Sequence, residues 1–278
     1  MNQAATLLII SAAFHALWNF ALKRSTNKLG DGLAFMIIAT LLNAIYGLAS
    51  AALPTLNTEL IIGTVAAGIF EGLYFYLLNT AYSKQALGVA YTIMRGGAMA
   101  LVWTISILTL NETFDLIDGC AVIAIAIGIA LVQRSFKIRD LFASGAYAAY
   151  ACAGCIAGYH IGYGVAVQTG ASPALVFASA MSIGIVTYIT LSRGSALKEL
   201  LSSLKQDGIL VGAGGVACGV SFLLFLTALA SVDPGRAISL RNTSVAFGAL
   251  LSATSAEKLS ATQWLGVSLV VAGALVMI

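Results

Sequence analysis

Ten apolar runs separated by short polar connections make up nearly the whole chain, at about residues 3–22, 33–53, 60–81, 87–110, 116–132, 142–166, 172–191, 207–230, 234–253 and 260–278. Each approaches the roughly 20 residues that an α-helix needs to cross the hydrocarbon core of a bilayer. Backbone groups in lipid have to bond within the protein, and the runs lack the alternating segments of a membrane barrel, so the pattern predicts helices. The three prolines respect these boundaries. Ser172–Pro173 and Asp233–Pro234 read as an N-cap followed by a first helical residue, and Pro54 closes the second run.

The pattern also repeats. Moving residues 80–132 along by 147 positions matches Thr80 and Ala81 with Thr227 and Ala228, Gly88 with Gly235, Ala90 with Ala237, and Gly119 with Gly266; a two-residue slip then aligns Glu112 with Glu257. Each copy reads as the end of an apolar helix, a polar turn, an arginine-bearing helix, a turn with a glutamate, and a closing helix rich in Gly, Ala and Val. The expected fold is an all-α integral membrane protein of ten transmembrane helices in two five-helix repeats, residues 1–137 and 138–278. Internal symmetry of that kind in lipid points to a secondary transporter.

Composition removes the soluble alternative, since 60% of the residues are hydrophobic and only 9% are charged, too few to solvate a surface. Eleven of the fourteen Lys and Arg residues fall in odd-numbered connections: Lys23, Arg24, Lys28, Lys84, Arg134, Lys137, Arg139, Arg193, Lys198, Lys205 and Lys258. By the positive-inside rule these connections are cytoplasmic and both termini face outward. No basic leader precedes the first run, so it does not read as a cleaved signal peptide. Cys120, Cys152, Cys155 and Cys218 all lie inside apolar runs, where they read as small packing residues. No P-loop is present, and no pattern calls for a cofactor, a metal or a nucleic-acid partner.

Ionisable and polar residues inside the spans are the functional candidates, because each has to face protein or water. In the first run, His15, Trp18 and Asn19 stand out; His15 and Asn19 share a face, and His15 reads either as a packed histidine or as a proton- or substrate-binding group. Glu71 lies mid-span, either neutralising Arg95 or acting in coupling, with Tyr74 and Tyr76 close enough to line the same vestibule. Arg95, followed by two glycines, has Arg241 one position from its strict repeat partner, and Arg236 sits earlier in the same run. Buried arginines in each repeat suggest an anion held at the midplane by a fork of donors, with simple buried ion pairs as the competing reading. Glu112 and Glu257 precede helix starts and read as caps on unpaired N–H groups. The sixth run carries Tyr147, Tyr150, Tyr159, His160 and Tyr163 among small residues, offering walls for an aromatic or mixed ligand or plain packing. Substrate contacts are therefore expected from Arg95, Arg241, Trp18, Asn19, Tyr74, Tyr150 and Tyr159, and coupling from His15 and Glu71. An intramembrane enzyme using His15, Glu71 or His160 is the reading from another class.

The strings LNETFDLIDGCAVIAIAIGIALV and SAEKLSATQWLGVSLVVAGALVMI resemble the two closing segments of EamA-type members of the drug/metabolite transporter superfamily, and HALWNFALK resembles the opening helix of such a repeat. The resemblance implies two five-helix halves of inverted orientation around a central cavity used for alternating access. It also implies export of amino acids or other metabolites, with relatives that exchange sugar phosphates or nucleotide sugars. Where related small multidrug resistance proteins have an acidic residue eight positions before a lysine, this chain has His15 before Lys23. Many EamA members are drawn with cytoplasmic termini, against the charge count. The expected setting is the cell inner membrane, with a small-molecule substrate, proton or counter-substrate coupling, and a monomer or homodimer.

Overall fold

The computed structural model describes residues 3–110, 116–133, 146–232, 234–254 and 259–276. Among the described residues there are helices and no strands: α1 (Gln3–Arg24), α2 (Lys28–Ser50), α3 (Thr58–Lys84), α4 (Leu87–Leu110), α5 (Leu116–Gln133), α6 (Ala146–Gln168), α7 (Pro173–Leu191), α8 (Ser195–Gln206), α9 (Gly208–Leu229), α10 (Pro234–Arg241), α11 (Ser244–Ala253) and α12 (Ala261–Val276). By length and composition, α1, α2, α3, α7 and α9 are each apolar enough to cross a membrane. Glu112, Glu257, Arg134, Lys137, Arg139, Lys258 and the expected boundary at 137/138 lie outside the described residues, as does the side chain of Arg236.

Local chemistry sets the ends. Asn27 and Asn57 cap α2 and α3, their side-chain oxygens accepting from Gly30 N and Leu60 N. Pro173 and Pro234 open α7 and α10 as the sequence predicts. The end of α7 is a Schellman turn: Gly194 N donates to Ile189 O at 2.9 Å and Arg193 N to Thr190 O at 3.0 Å, with both residues at positive φ.

Two features depart from the run pattern. The expected single helix over 234–253 is broken at Asn242–Thr243, where the backbone closes i→i+3 bonds and the Thr243 hydroxyl bonds to Leu240 O at 2.7 Å. Short polar side chains that bond the local backbone compete with the helical ladder, and an Asn-Thr-Ser sequence concentrates them. The second departure is α8, in a stretch read as a connection. It buries Ala196 and Ser203 against α2 and leaves Leu197, Leu201 and Leu204 exposed.

Small residues bring the helices together. α3 packs along α6 and α7, α9 along α1 and α2, and α5 along α12. A Cβ on Gly63 would meet Gly162 O at 2.6 Å, and one on Gly128 would meet Gly266 O at 2.6 Å, so these crossings require glycine. At α3–α7, Gly68 faces Ile183 and Gly72 faces Gly184; at α9–α2, Gly215 faces Ile38 and Gly219 faces Ala39. The lysine Lys23 closes one end of the bundle by donating to Tyr82 O and Gln85 O, both at 2.8 Å. Thr26 bonds to Asp207 and Asn27 to Ser202 at that same end, so the described basic residues of the odd connections gather on one side.

Candidate functional site

A polar cluster sits where α1, α3, α4, α6, α9 and the α10–α11 break meet. Helical spacing delivers it. His15, Trp18 and Asn19 share one face of α1, Glu71 and Tyr74 one face of α3, and Tyr91 and Arg95 one face of α4; α6 adds Tyr159, His160 and Tyr163, and α9 adds Ser221, Phe222 and Phe225. All of these residues are buried.

Arg241, at the last position of α10, is the hub. Its Nη2 lies 3.1 Å from His15 Nδ1 and 3.3 Å from Ser221 Oγ, and its Nη1 lies 3.4 Å from His160 Nε2. The guanidinium also stacks over Phe222 and Phe225, 4.5 and 4.1 Å from the ring centroids. Ser221 and Ser11 donate to each other's carbonyl oxygens, tying α9 to α1. Trp18 donates to His15 Nδ1 at 3.2 Å and stacks on Phe75. Asn19 donates to His15 O and accepts from the hydroxyls of Tyr74 and Tyr82.

Other groups in the cluster have no protein partner. All three guanidinium nitrogens of Arg95, Arg241 Nε, His15 Nε2 and the Tyr159 hydroxyl are buried without a hydrogen bond, while Glu71 faces the Tyr163 hydroxyl and Tyr91 faces Ser244. Each such group costs about 1–3 kcal/mol and more when charged, so a concentration of them in one place calls for an explanation. Arg95, Glu71 and Tyr91 all lie within electrostatic reach of both Tyr159 and Arg241. The Glu71–Arg95 ion pair read as an option from the sequence does not form.

Of the candidates named from sequence, His15, Trp18, Asn19, Glu71, Tyr74, Arg95, Tyr159 and Arg241 come together. Tyr150 does not, lining instead a lateral groove with Gly97, Ala126 and Ala153 between α4, α5 and α6; its place on α6 turns it away from His160. Tyr76, expected beside Tyr74, faces a polar groove at the bundle end with Asn79, Lys84 and Glu199, because residues two apart on a helix point to different sides. His160, named from sequence for the enzyme reading, joins them, and Ser221, Phe222 and Phe225 are additions. His160 had the signal of an ionisable residue in a span, whereas the phenylalanines read as ordinary core. The four cysteines are free, with Cys152 Sγ resting 3.8 Å from Tyr74 O.

A profile of the EamA-like transporter family matches residues 143–278, a stretch that holds α6 to α12. Residues 143–278 belong to the EamA-like transporter family. Together with the long apolar helices, the EamA match supports a multi-pass membrane protein and suggests a membrane transporter, which is compatible with a non-enzymatic role. A protein of known crystal structure superposes with a TM-score of 0.68 at 18% identity, covering 100% of this chain and 98% of that one. That likeness concerns the fold alone. A search of curated proteins finds no match.

Proposed function

We propose that this EamA-type protein is a secondary active transporter that exports a small metabolite with an anionic group, such as an amino acid, across the cell inner membrane by alternating access. The observation that carries the reading is the sealed cluster of unpartnered donors around Arg95, with Arg241 beside it. A guanidinium fork suits a carboxylate or phosphate, the tyrosine hydroxyls suit further polar groups, and Trp18, Tyr74 and Tyr159 suit an apolar body. The same chemistry suits a sugar phosphate, which a counter-substrate requirement would reveal.

In this reading the ten spans form two inverted repeats, 1–137 and 138–278. The contacts support it: Gly68–Ile183 and Gly215–Ile38 exchange under offsets of 147 and 145 residues, as do Gly72–Gly184 and Gly219–Ala39. Those are the offsets that relate Thr80 to Thr227 and Glu112 to Glu257. The helix break beside Arg241 fits a binding site built on a discontinuous span.

The test is efflux of a mixture of radiolabelled amino acids from proteoliposomes, with glucose 6-phosphate counterflow in parallel. Arg95→Ala and Arg241→Ala abolish efflux of whichever probe is moved, and the compound emerges chemically intact. Efflux unchanged in both variants removes the anion clamp. A chemically altered product restores the enzyme reading.

A further inference from the structure

The geometry points to His15 and His160 as a paired proton-binding site in which taking up a proton and holding Arg241 are mutually exclusive. The inference depends on the transporter reading for its purpose, because it supplies that site with proton coupling, but its chemistry stands on the hydrogen bonds alone.

Hydrogen bonding fixes the form of each ring. His15 Nδ1 faces two donors, Trp18 Nε1 at 3.2 Å and Arg241 Nη2 at 3.1 Å. Neither an indole N–H nor a guanidinium can accept, so this nitrogen carries the lone pair and the ring hydrogen is on Nε2. His160 is the reverse. Its Nδ1 lies 2.7 Å from Ile156 O, which can only accept, so the hydrogen is on Nδ1 and the lone pair on Nε2, which faces Arg241 Nη1. Each imidazole therefore offers one basic nitrogen, and both point at the same guanidinium.

A proton entering the pair adds to one of these lone pairs, giving an imidazolium and breaking no covalent bond. The nitrogen that accepted from Arg241 then becomes an N–H facing an N–H, on a ring whose charge now repels the guanidinium. The charged and titratable groups facing His15 are Arg241, Arg95, His160 and Tyr91; those facing His160 are Arg241, Arg95, His15 and Tyr159; those facing Arg241 further include Tyr159, Tyr91 and Glu71. Glu71 is the one carboxylate in that set, and the Tyr163 hydroxyl is beside it. Arg241 released from the histidines is thus free to pair with Glu71 or with an anionic substrate. It stands at the end of α10, next to the break at Asn242–Thr243.

The chain contains two histidines, so a spectrum of the full-length protein labelled at histidine-ring and arginine side-chain nitrogens, in lipid nanodiscs without substrate, reports these two rings together with the guanidinium groups, among which Arg241→Gln identifies Arg241. His15→Gln assigns the signals. The expected neutral-pH spectrum shows two uncharged rings of opposite tautomer, His15 protonated at Nε2 and His160 at Nδ1. On acidification the imidazolium signals grow in step with a change in the Arg241 side-chain resonances. In Arg241→Gln both neutral tautomers persist, His15 held by Trp18 Nε1 and His160 by Ile156 O. Identical tautomers, a charged ring at neutral pH, or ring protonation that leaves Arg241 unperturbed each overturn the proposal. These outcomes need no transport, so wild-type vesicles that move neither probe count against the transporter reading and leave the proton site to be judged on the spectrum.

Discussion

Asn242 donates through Nδ2 to the backbone oxygen of Arg95 at 3.3 Å, and the two positions are 147 residues apart, the spacing that relates Thr80–Ala81 to Thr227–Ala228. Under the two-repeat reading, a residue touching its own counterpart lies at the axis between the halves. The bond anchors the break in the α10–α11 span to the helix that carries the unpartnered arginine. Asn242→Ala should cost about 1 kcal/mol, the usual net value of one hydrogen bond. Asn242→Asp should cost more, because an acceptor then faces a carbonyl oxygen. Thermal unfolding in detergent ranks the two, and an equal effect would deny the bond its role.

The two arginines should respond in opposite ways to loss of charge. The Arg95 guanidinium is buried without a hydrogen bond, so Arg95→Met removes a desolvated charge and stabilises the protein by about 1–3 kcal/mol while abolishing transport. A lower melting temperature in this variant would mean that Arg95 has a structural duty.

Arg241→Met strips His15, His160 and Ser221 of a donor and removes the cation from Phe222 and Phe225. Breaking such a buried network costs about 3–5 kcal/mol. Arg241→Lys fails to restore it, because one ammonium cannot span both rings as the planar fork does. Full rescue of stability by lysine would show that charge alone matters.

Glycines divide sharply by environment. A Cβ at Gly266 would meet Gly128 O at 2.5 Å, whereas nothing lies within 4 Å of one at Gly154 or Gly212. Gly266→Ala therefore pushes α12 off α5 and costs about 1–3 kcal/mol by overpacking. Gly154→Ala and Gly212→Ala, in open positions of α6 and α9, gain about 0.5–1 kcal/mol from helix propensity. Melting temperatures of the three variants test the contrast, which fails if all shift the same way.

If Glu71 takes part in coupling, Glu71→Gln keeps the shape of the side chain while removing its charge. Accumulation driven by a pH gradient is then lost, and substrate-for-substrate exchange at equal pH persists. Loss of both activities together would make Glu71 a binding group instead.

Membrane class, helical content and most helix ends were legible in the chain because they depend on local quantities: the length of an apolar run, a proline at a first helical position, an asparagine that can cap. The buried candidates on α1, α3 and α4 were legible for a related reason, since an ionisable side chain in lipid is conspicuous wherever it occurs. The α10–α11 break was not, because Asn242 and Thr243 sit in a run that hydropathy reads as continuous, and what they bond to is 147 residues away in one case. Nor could sequence choose between Arg95 and Arg241. Both are single cations in apolar helices, and only the packing of six helices gives one of them two histidines, a serine and a pair of phenylalanines while leaving the guanidinium of the other with no hydrogen bond. Tyr150 and Phe222 illustrate the same limit. Sequence supplies the chemistry of a side chain and the turn of helix it occupies, but which neighbour that face meets is set by where small residues allow helices to cross, and that is a property of the assembled bundle.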